Sequence, residues 1–163
     1  MIGKNAFSAC TLTEITFPES LMNIGAGAFA SCSFTEIHLE HTHIMVLPEK
    51  CFGWCGKLNK VMLPDTLLTI ENNAFVECST LDRIIIPEYT QQVISPFSDL
   101  YLKKSRALAI LGMETELVDL CGLMVASSGA KNVVVYCLPD SRAQKYCLEH
   151  SIICRHLSEF PGI

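Results

Sequence analysis

The chain has 163 residues and a formal net charge of −5; half of its residues are apolar and 18% are charged. That length suits one domain with a sizeable core, the apolar content excludes a disordered chain, and the acidic balance argues against nucleic acid as the main partner, because phosphate binding needs a basic face. No apolar run approaches the ~18 residues of a membrane span, since the most apolar stretch, 107–126, is broken by Glu114, Glu116 and Asp119.

From the first residues the chain repeats itself. Ala6-Phe7-Ser8-Ala9-Cys10 returns as Ala28-Phe29-Ala30-Ser31-Cys32, as Cys51-Phe52-Gly53-Trp54-Cys55 and as Ala74-Phe75-Val76-Glu77-Cys78, with a worn copy at Pro96-Phe97-Ser98-Asp99-Leu100. The phenylalanines lie 22, 23, 23 and 22 residues apart, and a fixed period of this length marks a stacked-repeat solenoid. An aliphatic residue opens each unit (Ile2, Ile24, Leu47, Ile70, Val93). The Ala-Phe-x-x-Cys segment that follows is expected to form a helical or 3₁₀ turn with its phenylalanine and cysteine inward. Period-two alternation then predicts short strands at 14–17, 36–39, 60–63 and 83–86, with Ile15, Ile37, Val61 and Ile84 in one buried column. Pro18, Pro64 and Pro87 end three of these strands, having no amide proton to give; Glu40 holds that place in the second unit. The opening Met1–Phe7 already reads as repeat core, without a signal-peptide pattern and without a strand ahead of Ile2. Solenoids need capped ends, so the expectation is a fragment of a longer protein, with any targeting signal upstream, or else an irregular first turn.

Residues 99–131 leave the pattern. Leu100, Leu102, Ala107, Leu108, Ile110, Leu111, Leu117, Leu120 and Leu123 keep roughly helical spacing, which predicts one or two helices with a break at Gly112 and an end near Gly129. A last strand is expected at 132–136, then a helix capped by Asp140 that reaches about His150. The expected organisation is therefore residues 1–98 as about four to five units of 22–23 residues, the first incomplete, and residues 99–163 as a helical segment with a terminal strand-helix cap of the same solenoid domain.

The repeated unit resembles the BspA-type leucine-rich repeat. The likeness is carried by Ile24-Gly25-Ala26-Gly27-Ala28-Phe29-Ala30-Ser31-Cys32, by Ile70-Glu71-Asn72-Asn73-Ala74-Phe75-Val76-Glu77-Cys78, by Leu81-x-x-Ile84-x-Ile86-Pro87 and by Ile15-x-Phe17-Pro18-x-x-Leu21. Val133-Val134-Val135-Tyr136 and Pro139-Asp140-Ser141-Arg142-Ala143-Gln144-Lys145-Tyr146 are similar to the terminal segment of such proteins. The resemblance implies an α/β repeat solenoid, a right-handed leucine-rich-repeat stack with a parallel β-sheet and a helical C-terminal cap region. It also implies protein binding, adhesion and the surface of bacterial or protozoal cells, with no catalytic activity.

Nine cysteines invite chemistry, but Cys10, Cys32, Cys55 and Cys78 hold one slot in successive repeats. A ladder of buried, reduced and unreactive thiols explains them, because free cysteine packs as a compact hydrophobe. Successive disulfides are disfavoured, since equivalent side chains run parallel and bridging needs them to converge. Cys121, Cys137, Cys147 and Cys154 sit in apolar tail contexts. A zinc site from Cys51 and Cys55 with His41 and His43 is the weaker alternative, because Cys55 belongs to the ladder and the histidines to a loop. No hydrolase elbow, phosphate loop, dinucleotide fingerprint or His-Glu-x-x-His occurs, so neither cofactor nor metal is expected.

The outward strand positions are the binding candidates. One column reads Thr16, His38, Met62 and Ile85; the column beside it reads Glu14, Glu36, Lys60 and Arg83 and turns from acidic to basic along the stack. Solvated sheet surface accounts for the same residues, yet Met62 and Ile85 are apolar where water is expected, and an exposed apolar patch can mark an interface. The functional expectation is a module binding a protein or other macromolecule, without membrane insertion, as part of a surface or secreted adhesin-like protein. An intracellular scaffold using the same face is the alternative, favoured by the cysteine content. A cysteine-dependent enzyme is the distant third.

Overall fold

The computed structural model describes residues 1–97, 106–120 and 133–161. In chain order its elements are β1 (Glu36–His38), β2 (Val46–Leu47), β3 (Lys60–Met62), β4 (Thr69–Ile70), β5 (Arg83–Ile86), β6 (Gln92–Ile94), β7 (Arg106–Ile110), β8 (Glu116–Val118), β9 (Val133–Cys137), α1 (Arg142–Glu149), β10 (Ile153–His156) and a 3₁₀ turn at Leu157–Glu159. All strand pairs among them are parallel, as expected when each repeat returns the chain to the same edge one layer further on. The predicted strands at 36–39, 60–63 and 83–86 are β1, β3 and β5. β1 pairs with β3, and β5 is followed outward by β7, β9 and β10. Ile37 faces Val61, and Ile84 faces Leu108, which faces Val135; all five are buried.

The aliphatic openers do more than fill space. Leu47, Ile70 and Val93 are the inward residues of a second parallel sheet, β2-β4-β6-β8, which Leu117 extends, and Ile2 and Ile24 form a bridge in the same line. These strands span only two or three residues, too few for an alternation to show in sequence. A threonine ladder runs beside them: Thr66 donates to Ile44 O at 3.0 Å, Thr90 to Leu67 O at 3.0 Å and Thr115 to Thr90 O at 2.7 Å.

Several expectations need correction. Residues 14–17 form no strand and Ile15 is only half-buried. On this outermost layer the segment has a neighbour on one side, and the Ser33 N–H donates to Leu12 O at 2.9 Å. The Ala-Phe-x-x-Cys segments are linked β-turns, not helical ones. Each has i→i−3 bonds such as Ala28 N–H to Gly25 O at 3.1 Å, but it alternates them with bonds to the next layer, such as Phe29 N–H to Cys51 O at 2.9 Å. Left-handed backbone recurs at two slots per turn, at Asn5, Gly27, Lys50 and Asn73 and at Ala9, Ser31, Trp54 and Glu77, with φ between 54° and 64°. A left-handed residue cannot continue a right-handed helix.

The expected helices within 99–131 are replaced, where described, by β7 and β8. β7 is buried on both faces at Leu108, Ala109 and Ile110, so its alternation was invisible and its apolar residues also fitted a helical period. Gly112 interrupts no helix; it lies two residues past the end of β7, where a Cβ would collide with the Glu88 carbonyl of the preceding turn and with the Thr115 hydroxyl. Leu100, Leu102, Cys121, Leu123 and Gly129 lie outside the described residues. The helical part of the cap is the single short helix α1. Its N-cap is Ser141, whose Oγ accepts from Gln144 N–H at 3.2 Å, while Asp140 stands one residue earlier at φ 60°.

One apolar core runs the length of the stack. Its spine is the phenylalanine column, with ring centroids 5.3 Å apart for Phe7–Phe29, 5.5 Å for Phe29–Phe52 and 6.0 Å for Phe52–Phe75, all within 10° of parallel. Phe29, Phe52 and Phe75 are fully buried; Phe7, expected to match them, is 36% exposed because it caps the column.

Candidate functional site

Register decides which outward side chains meet. Glu36 lies opposite Lys60 and His38 opposite Met62. Arg83 and Ile85 hold the equivalent positions on β5, which lies beside β3 but in a different sheet, and pairing leads from them to Ala107 and Ala109 on β7, Val134 and Tyr136 on β9, and Ile153 and Arg155 on β10. Lys60, Met62, Arg83 and Ile85 line one groove, so with Glu36 and His38 six of the eight expected residues share one face. Glu14 and Thr16 are exposed but sit on no strand, so pairing does not bring them into the columns.

Charges on this face are knitted together rather than graded. His38 is held between two carboxylates, Nδ1 to Glu40 Oε1 at 3.1 Å and Nε2 to Glu36 Oε2 at 3.2 Å. Glu40 first and Glu36 second push the imidazole pKa above its ordinary 6.5. Burial pushes the Glu40 carboxyl up, but its own backbone amide and His38 outweigh that and hold it below the usual value. Lys60 Nζ also reaches Glu36 Oε2, at 3.8 Å, and Arg83 Nε lies 3.5 Å from Asp82 Oδ1.

The chain after β10 completes the face, and sequence reasoning missed it. Phe160 lies edge-on to Tyr136, with centroids 5.2 Å apart at 83°, and packs on Ala109. Arg83 Nη1 donates to Pro161 O at 3.0 Å. A groove of about 400 Å³ remains between this segment and the strands, lined by Lys60, Met62, Arg83, Ile85, Phe160 and Pro161. Met62 and Ile85 form its apolar floor at 37% and 39% exposure. The available signal was Ala107 and Ala109: small residues in an outward column announce that something packs on them.

The cysteine ladder has a bonding pattern of its own. Cys32 Sγ donates to Phe7 O at 3.2 Å, Cys55 Sγ to Phe29 O at 3.3 Å and Cys78 Sγ to Phe52 O at 3.0 Å, each one layer back. Burial pushes the Cys32 thiol up, the Cys55 thiol to about 11 and the Cys51 thiol far above its ordinary value. Cys10 departs from the expectation, being only half-buried on the end layer. Cys51 and Cys55 lie wholly inside the core, while His41 and His43 are exposed, so the structure does not bring the four together.

This geometry is that of a repeat family. The family model for BspA type leucine rich repeat regions matches residues 1–104 in six copies. The chain belongs to the BspA-type leucine-rich repeat family. A crystal structure of a leucine-rich repeat protein from Bacteroides ovatus is similar in fold, with a TM-score of 0.55 and 21% identity over 82% of this chain. The match spans 46% of that protein's length. Among curated proteins no significant sequence match is found. Family membership accounts for the buried thiols, which the repeat uses as packing and as backbone-bonding groups.

Proposed function

We propose that this leucine-rich repeat chain is a recognition module, and that it takes an extended segment of a protein partner across the outward face of its strands, with the Lys60–Pro161 groove at the centre. One observation carries this: among the described residues, Met62 and Ile85 stay exposed on the floor of a groove that Phe160 and Pro161 wall. The side chains of Lys60 and Arg83, 54% and 53% exposed, stand beside that floor. Their charge favours a segment with an apolar anchor flanked by Asp or Glu, the anchor supplying affinity and the charges register. Glu36 and His38 on β1 extend the contact along the stack. Leucine-rich repeat solenoids generally mediate protein interactions and are generally non-enzymatic. Buried ladder thiols held protonated supply no nucleophile. No helix among the described residues is long and apolar enough to cross a membrane.

By family, we place the module in a surface or secreted adhesin-like protein. The eight free thiols among the described residues favour the second reading, an intracellular scaffold that uses the same face. Fractionation of the native host with an antibody to this chain separates the two. The binding face is tested with a displayed library of random peptides selected on the wild-type protein. Selected peptides are expected to share an apolar residue next to Asp or Glu, and to lose at least about tenfold in affinity to a folded Met62→Glu, Ile85→Glu double variant. Equal affinity for the double variant would place the site elsewhere.

A further inference from the structure

The C-terminal cap holds a group of thiols outside the repeat ladder. Cys137 ends β9 and Cys154 lies in the parallel neighbour β10, where it pairs with Val135, two residues before Cys137. Period two therefore puts both side chains on one side of the sheet. That side is the core side, where Cys137 is buried and Cys154 packs against the core. Their sulfurs stand 3.0 Å apart although the residues are 17 positions apart in sequence. Bonded sulfurs lie about 2.05 Å apart, so the sulfurs are within about 1 Å of a bond. The Cα atoms of such a diagonal pair lie about 7–8 Å apart, so closing it to the roughly 4.4–6.8 Å of a disulfide also needs the backbone of β10 to shift. β10 is the element placed to supply that movement: among the described residues it is an edge strand laddered to β9 only, and three of its four residues are exposed. Cys154 itself is half-buried, so a small solute reaches it, whereas Cys147 of α1, interacting with the same pair, is fully buried.

We propose that Cys137 and Cys154 are a dithiol site that a low-molecular-weight disulfide such as oxidised glutathione converts to a protein disulfide, clamping β10 and the segment behind it onto β9. The Cys154 thiolate attacks one sulfur of oxidised glutathione and expels a glutathione thiolate, which takes up the proton that Cys154 lost. Cys137 then attacks the Cys154 sulfur of the mixed disulfide, and its proton leaves with the second glutathione; burial pushes the Cys137 thiol up to about 12, so this second step is the slow one and proceeds only because the mixed disulfide is held against it. Two protein thiols and one glutathione disulfide become one protein disulfide and two glutathione thiols, with two electrons passing to glutathione. Phe160 and Pro161 follow β10 after the single 3₁₀ turn Leu157–Glu159, so the clamp also fixes one wall of the groove; that consequence rests on the proposed binding function, whereas the disulfide does not.

The experiment equilibrates the native protein in glutathione buffers from reducing to oxidising, then maps disulfides in peptides without reduction and follows amide exchange by mass spectrometry. The expected result is a Cys137–Cys154 linked peptide, ladder cysteines still free, and exchange over 153–160 slowed about tenfold or more on oxidation. Cys147→Ser is expected to leave both effects intact and Cys154→Ser to abolish both. A map that joins Cys147 to Cys154, or that leaves Cys137 and Cys154 as thiols in the most oxidising buffer, overturns the proposal. So does slowed exchange that persists in Cys154→Ser. Mapping of the wild type needs no variant to fold. A linked peptide found together with no peptide binding in either redox state would sink the groove assignment and leave the disulfide standing.

Discussion

Phe52→Ala is the most direct test of the stack. Phe52 is fully buried and its ring is sandwiched between Phe29, 5.5 Å away, and Phe75, 6.0 Å away. Truncation removes about 1.5–3 kcal/mol of transfer free energy. It also leaves a cavity that neighbouring layers cannot fill, because both adjacent rings are held in parallel by their own neighbours; measured large-to-small changes of this kind cost about 3–5 kcal/mol in total. Phe7→Ala is the internal control. Phe7 stacks on Phe29 alone and is 36% exposed, so its loss leaves an open notch in place of a void and should cost about 1–2 kcal/mol. The assay is equilibrium unfolding in urea. With a slope of about 2 kcal/mol per molar, Phe52→Ala should lower the midpoint by roughly 1.5–2.5 M and Phe7→Ala by less than about 1 M. A Phe52→Ala loss below about 1 kcal/mol, or equal losses for the two variants, would refute a continuous phenylalanine spine.

The remaining expectations concern the thiols, His38 and the left-handed slots. Alkylation of the folded protein followed by mass spectrometry should modify Cys10 and spare Cys32, Cys55 and Cys78; rapid labelling of all four would contradict the buried ladder. In a proton NMR titration His38 should show a midpoint above 6.5, and Glu36→Gln with Glu40→Gln should return it toward that value; an unchanged midpoint in the double variant would remove the carboxylate clamp as the cause. Because the folded pKa is raised, the clamp's stabilisation is fully present below about pH 6.5 and is lost as pH rises through the higher folded value, so the wild type should lose more stability than the double variant across that window. Ala9→Gly, at φ 58°, should stabilise by about 0.5–1 kcal/mol in thermal unfolding, and a loss would mean that the turn is not left-handed there.

Much of this was legible in the sequence where a residue's role repeated. The phenylalanine and cysteine slots recur with both identity and spacing, and strands β1, β3 and β5 fell where alternation placed them. The second sheet was not legible. A strand such as Val46–Leu47 offers one inward residue per layer, and a single aliphatic position has no period. β7 was misread because Ala107 and Ala109 blur its alternation, and they are small for a reason visible only in three dimensions: Phe160, 51 positions beyond Ala109, lies on them. For the candidate site, the strand residues could be named because they are local, while the groove's far wall depends on a long-range contact that leaves no local pattern.

The position of the groove follows from how the repeat ends. In regular layers a cysteine thiol of one turn donates to the phenylalanine carbonyl of the turn before, a short bond that suits an even spacing between layers. At β7 a different device takes over. Arg106 is buried, its guanidinium lies 4.4 Å above the Phe97 ring centroid, and it donates to Leu81 O and Cys78 O. A guanidinium reaches further than a thiol and carries several donors in a fixed fork, so one side chain can serve two carbonyls of the preceding turn. On the outer face of β7 the small side chains of Ala107 and Ala109 admit Phe160. Phe160 settles on β7 and β9, whereas on β5 Ile85 replaces alanine in the same column and stands taller. The step from Ala109 to Ile85 therefore shapes the groove, whose floor consists of outward apolar residues that Phe160 and Pro161 flank but do not cover.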